Sequence, residues 1–111
     1  MGKPAKIPLD YNHLQSATDI MRALAHPLRL RIIALLHKHP DSSVQTIHTN
    51  LGVEQSIISQ HLRILRMAAL VQTRRQGKNV HYLLDEQRLR PVLHYLPDLL
   101  YSILEQQYSQ Y

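Results

Sequence analysis

At 111 residues the chain has room for one domain and one core, and it contains no cysteine, which excludes disulfides, thiolate metal sites and cysteine nucleophiles. Thirteen lysines and arginines against eight acids give a net charge of +5, which fits either a solvated basic surface or a polyanionic partner. No apolar run approaches the roughly 20 residues that span a bilayer, and MGKPAKIPLD carries neither a secretory core nor a myristoylation signal, so a cytoplasmic location is expected.

In chain order, residues 1–9 contain Pro4 and Pro8 and read as a mobile N-terminal arm, leaving 10–111 as the domain. From Tyr11 to Ala25, Leu14, Ala17, Ile20, Met21 and Leu24 share one stripe and predict helix 1. AHPLRLRIIALLHKHP predicts helix 2, with Pro27 at its start, Pro40 beyond its end, and Leu28, Ile32, Leu35 and Leu36 facing inward. Ser42 and Gln45 fit a capping box for a short helix 3, which buries Val44, Ile47 and Leu51 and stops at Gly52. Helix 4 runs from about Glu54 to Ala68, with Ile57, Ile58, Leu62, Ile64, Leu65 and Ala69 as its apolar set.

The period then changes. Val71, Thr73 and Arg75, followed by Val80, Tyr82 and Leu84, alternate around the turn residues Gln76-Gly77-Lys78-Asn79, which predicts a β-hairpin. After Asp85 the helical period returns as helix 5, with Val92, Leu96, Leu99, Leu100, Ile103, Leu104 and Tyr108 on one stripe. Pro91 and Pro97 are expected to kink or break it.

Two helices joined by a short glycine-containing turn, followed at once by a two-stranded hairpin, make a winged helix-turn-helix. The expected fold is mainly α with a small β-hairpin, in the order α1-α2-α3-α4-β-β-α5. Three segments, ALAHPLRLRIIALL, SIISQHLRILRMAALV and TRRQGKNVHYLL, resemble helix 2, the recognition helix and the wing of the ArsR/SmtB family of bacterial transcriptional repressors. One departure is Ala69, where that family often has glycine, so helix 4 must end without its easiest left-handed residue.

The resemblance implies a homodimeric, sequence-specific regulator of double-stranded DNA, most simply a repressor. On helix 4, Gln55, Ser56, Ser59, Gln60 and Arg63 are of the types that reach base edges in the major groove, and Arg66 lies further along, where phosphate contact is expected. His61 is a further DNA-binding candidate, placed to bridge this groove-facing set and the core. Arg74, Arg75, Lys78 and Asn79 crowd the wing, where they would meet phosphates or the minor groove, or simply blunt a strand edge. Of Arg29 and Arg31 on helix 2, one is expected to support the fold. Dimerisation is expected through helices 1 and 5, by Leu14, Ile20, Met21, Leu96, Leu99, Leu100, Ile103 and Leu104.

The family's metal sites are not matched. Helix 3 reads Val44-Gln45-Thr46-Ile47-His48 where Cys-x-Cys is wanted, and helix 5 opens Asp85-Glu86-Gln87-Arg88, with His94 the only later histidine. His37-x-His39 straddles a helix end, and a His13–His94 pair across a dimer is the remaining metal candidate. No metal and no cofactor are therefore expected. An organic effector near Tyr95 and Tyr101 stays open, as does control without a ligand. No phosphate-binding glycine loop, Gly-x-Ser-x-Gly or His-Glu-x-x-His is present, so an enzyme is not expected. A winged helix serving only as a protein-interaction module and a histidine-based metal-sensing repressor are the alternatives.

Overall fold

The computed structural model describes residues 11–90 and 92. Four helices, α1 (Tyr11–Leu24), α2 (Pro27–Lys38), α3 (Val44–Leu51) and α4 (Gln55–Met67), surround one core, with strands β1 (Ser42–Ser43), β2 (Val71–Gln76) and β3 (Asn79–Leu84) at one side. A further helix opens over residues 86–90, where Asp85 Oδ1 accepts from the Arg88 amide at 3.2 Å. Most of the helix 5 stripe, and the kink expected at Pro91 and Pro97, lie outside the described residues, as does the N-terminal arm.

The core joins Ile20 and Ala23 of α1, Ile32 and Leu36 of α2, Ile47 of α3, and Ile58, Leu62 and Leu65 of α4 to Leu70, Val71, Leu89 and Val92. Each helix thus gives the fold one stripe, as the sequence periodicity requires. Pro27 occupies the first turn of α2, and His26 caps it by accepting the Leu28 amide on Nδ1 at 3.0 Å.

The sheet is antiparallel with order β1-β3-β2. The expected hairpin is present, with Val71 opposite Leu84, Thr73 opposite Tyr82 and Gln76 opposite Asn79. Gly77 takes φ +62 at the first of two turn residues, a position that favours glycine. The third strand is unforeseen: Ser42 pairs with Tyr82 and Ser43 with His81. A two-residue strand leaves no period in the sequence and exists only through its partner.

β1 also moves the cap of α3. Ser43, not Ser42, is the N-cap, and its Oγ accepts from the Thr46 amide at 3.1 Å, while Ser42 is buried and donates to the His39 carbonyl. At the far end of α4, Ala69 adopts φ +60. Its amide bonds to Arg66 O at 2.9 Å and the Leu70 amide bonds to Leu65 O at 2.9 Å, the paired bonds of a Schellman ending. The helix therefore ends as a glycine would end it, with an alanine carrying the left-handed strain.

Candidate nucleic-acid interface

The reading unit is built from α3, its turn and α4. α3 is amphipathic and buries Ile47. Gly52, at φ +66, ends it by donating to His48 and Thr49 carbonyls, and the Val53 amide follows with a bond to His48 O at 3.2 Å. The chain then re-enters a helix at Gln55. α4 has no side-chain cap, and its first backbone bonds run from the Ile57 and Ile58 amides to Glu54 O, both 3.1 Å.

Ile58, Leu62 and Leu65 of α4 are buried, while Gln55, Ser56, Ser59, Gln60, Arg63 and Arg66 are all exposed. At about 100° per residue the six polar side chains span roughly 140° of the helix surface, an arc that begins beside the roughly 60° held by the buried three and turns away from it. Arg63 and Arg66 form no ion pair among the described residues.

Two expectations for α4 need correcting. Ile57 and Ile64 belong to its apolar sequence set, yet they are 39% and 38% exposed, and Met67 is 76% exposed. The reason is angular: positions 57 and 64 lie roughly 110° and 130° from the centre of the stripe made by 58, 62 and 65. Ala69, also placed in that set, is exposed in the left-handed turn. The polar face is therefore flanked by an apolar edge that the sequence pattern had assigned to the core.

His61 is drawn towards the core. It is half-buried, and its Nδ1 accepts from Arg29 Nε at 3.2 Å. Its ring centroid lies 4.4 Å from that of His26. Arg29 Nη1 meanwhile donates to the carbonyls of Arg22 (3.3 Å) and Ala23 (3.1 Å), so one guanidinium joins the end of α1, the start of α2 and the middle of α4. Burial lowers the His61 pKa, and repulsion from His26 and Arg29 lowers it further. Of the two arginines weighed on helix 2, Arg29 holds this junction, while Arg31 makes one long bond, 3.5 Å, to Leu51 O.

In the wing, Arg75, Lys78 and Asn79 are exposed, and neither Arg75 nor Lys78 forms an ion pair among the described residues. Arg74 differs. Its guanidinium meets Asp41 with both nitrogens of one edge, Nε at 3.2 Å from Oδ1 and Nη2 against Oδ2. Those hydrogen bonds hold the Asp41 carboxyl below its usual range and raise Arg74 above its own.

Ile20 is buried in the chain's own core and Met21 is half-buried beside it. The side chain of Leu14 and residues Leu96, Leu99, Leu100, Ile103 and Leu104 lie outside the described set, as do the His13 side chain, His94, Tyr95 and Tyr101. Among the described residues, the positions weighed for metal carry other bonds or no ligand. α3 offers no thiolate, the Asp85 carboxylate caps a helix and accepts from Gln72 Nε2 at 3.1 Å, and Arg88 Nε donates to Ala68 O at 3.3 Å. His37 Nδ1 sits 3.3 Å from Glu86 Oε1. Among the described residues no three histidine or acidic side chains gather as a metal site would require, and no helix is long and apolar enough to cross a membrane.

Comparison with known proteins follows the same lines. A family model described as bacterial regulatory protein, arsR family, matches residues 26–73, which run from the α2 cap into the wing. The transcriptional repressor PagR of Bacillus anthracis is 30% identical over 85 residues, covering 77% of this chain and 85% of that one. The biofilm growth-associated repressor of Agrobacterium fabrum is 31% identical over 109 residues, covering 90% and 89%. The crystal structure of NolR from Sinorhizobium fredii superposes with a TM-score of 0.68 at 29% identity, covering 86% of this chain and 95% of that one. The PagR structure does so with a TM-score of 0.64 at 33% identity, covering 68% and 86%. Winged helix-turn-helix architecture, a polar and basic outer face on α4, and these likenesses lead to one conclusion: the chain belongs to the ArsR/SmtB family of DNA-binding transcriptional regulators, which are not enzymes.

Proposed function

We propose that the protein is a cytoplasmic repressor that binds a pseudo-palindromic operator as a homodimer. The observation that carries this is the outer face of α4, where six polar side chains stand exposed on a helix anchored by a fully buried apolar stripe. Gln55, Ser56, Ser59, Gln60 and Arg63 read base edges in the major groove, and Arg66 grips phosphate. Arg75, Lys78 and Asn79 carry the wing onto the backbone of the adjacent groove. Two-fold symmetry through helices 1 and 5 sets the two reading helices about one helical turn of DNA apart. Repression rests on the likeness to PagR and the biofilm growth-associated repressor, whose names state that role.

Regulation proceeds without thiol chemistry and without the family's metal sites. The supporting facts are the missing cysteines and the structural use already made of Asp85 and Arg88. A protein-interaction role is a second reading with its own observation, the exposed Ile57, Ile64 and Met67 along α4.

The experiment is the paired substitution Gln60→Ala/Arg63→Ala, with binding to a duplex selected from genomic DNA followed by fluorescence anisotropy. Base-edge contacts are each worth about 1–3 kcal/mol, so affinity falls at least tenfold while the melting temperature holds. Wild-type affinity in the double variant would refute the assignment. Protein capture that depends on Ile57 and Met67, with no DNA binding, would favour the interaction reading.

A further inference from the structure

Arg74 is the wing residue whose charge is already engaged, and we infer that it positions the wing instead of contacting phosphate, by forming a strut with Asp41. The inference rests on the DNA-binding reading above and assigns one residue a different part in it. Asp41 lies in the turn between α2 and β1, with φ +65, a left-handed conformation that aspartate tolerates better than most residues. β1 then pairs with β3, Ser43 opposite His81, and β3 pairs with β2, His81 opposite Arg74. The Asp41 carboxylate therefore reaches across β3 to a cation on the far strand.

Three contacts close this bridge. Arg74 offers Nε and Nη2 to the two carboxylate oxygens, the parallel fork that fixes direction as well as distance. Its Nη2 also donates to Gln76 Oε1 at 3.3 Å. His81 Nδ1 donates to the Asp41 carbonyl at 2.9 Å, which holds the turn against the middle strand.

Alternation along β2 places Arg74 and Arg75 on opposite faces of the hairpin. Arg75 has no acidic partner among the described residues and keeps its full charge for a polyanion; Arg74 spends its charge on a carboxylate that occupies the place of a phosphate. The other end of the strut leads through β1 directly into the Ser43 cap of α3. Wing pitch and the start of the reading unit are thereby set by one ion pair. An exposed pair of this kind adds little to global stability, so its effect is on geometry.

The test measures binding of a labelled duplex of roughly 30 base pairs, recovered on the wild-type protein from genomic fragments and long enough for two half-sites. Wild type, Asp41→Asn, Arg74→Ala, the double variant and Arg75→Ala are titrated over a range of salt. Asparagine is chosen because it also accepts a left-handed backbone. The strut predicts that Asp41→Asn and Arg74→Ala each weaken binding several-fold, that the double variant is no weaker than the worse single one, and that the salt slope is unchanged. Arg75→Ala, a true phosphate contact, lowers that slope by about 0.9. Circular dichroism melting reports that all variants remain folded. Direct phosphate contact by Arg74 predicts the opposite signs: Asp41→Asn frees the guanidinium and tightens binding, and Arg74→Ala lowers the slope as Arg75→Ala does. Either result, or wild-type affinity in Asp41→Asn, overturns the assignment. Wild-type protein that leaves every duplex unbound removes the DNA reading itself, and this role with it.

Discussion

Replacing Arg29 with alanine tests how α4 is fixed to the rest of the domain. The guanidinium makes three hydrogen bonds, to His61 Nδ1 and to the carbonyls of Arg22 and Ala23. A hydrogen bond involving a charged group contributes about 1.5–3 kcal/mol when buried. These three share one half-exposed side chain, and water replaces part of what is lost, so the total loss comes to about 1–2 kcal/mol. For a domain near 100 residues that lowers the melting temperature by about 4–8 °C.

Urea unfolding at about pH 7.5 and about pH 5.5 adds a second readout. The His61 pKa is depressed in the folded state, so the unfolded chain takes up the proton first. The His61 contribution is then complete above the ordinary histidine value near 6.5 and is lost as pH falls below it towards the folded pKa. Stability measured relative to His61→Gln therefore declines on acidification. In Arg29→Ala one source of repulsion is gone, and the decline is smaller. A loss under about 0.5 kcal/mol in Arg29→Ala, or a flat difference between wild type and His61→Gln across this range, would refute the reasoning.

Three further outcomes follow from other parts of the molecule. Ala69→Gly relieves a left-handed alanine and stabilises by about 0.5–1 kcal/mol in urea unfolding, after the extra freedom of glycine in the unfolded chain is subtracted. Ile58→Ala removes a side chain with no exposure and costs about 2–5 kcal/mol, whereas Met67→Ala, on the same helix but 76% exposed, costs under about 1 kcal/mol; equal costs would contradict the burial pattern. Zinc, nickel, cobalt or cadmium, each titrated at micromolar level after chelation and at fixed salt, leaves duplex affinity within about threefold. A tenfold change corresponds to about 1.4 kcal/mol of coupling, and if lost in His13→Ala or His94→Ala it would reveal a metal site.

Periodicity carried most of the helical framework. α2 is bracketed by Pro27 and Pro40, α3 is closed by Gly52, and the hairpin is marked by alternation around Gly77, all of them local signals. The polar face of α4 was readable for the same reason. What the sequence hid was non-local or angular. β1 is two residues long and exists through pairing with residues 81 and 82. Arg29 meets His61 across 32 positions and Arg74 meets Asp41 across 33, and no local pattern encodes such partners. Ile57 and Ile64 look like core by composition, and only their angle about the helix leaves them half-exposed. Ala69 shows the reverse: the chain adopts a left-handed helix ending even where the glycine best suited to it is missing.

The central claim, that α4 reads DNA sequence, is tested most directly by presenting sheared genomic fragments to the purified protein and sequencing what it retains. The account predicts recovery of a shared pseudo-palindrome whose half-sites lie about 10 base pairs apart centre to centre, and loss of that enrichment for Gln60→Ala/Arg63→Ala. Retention of fragments with no common sequence, or the same motif recovered by the double variant, would contradict it.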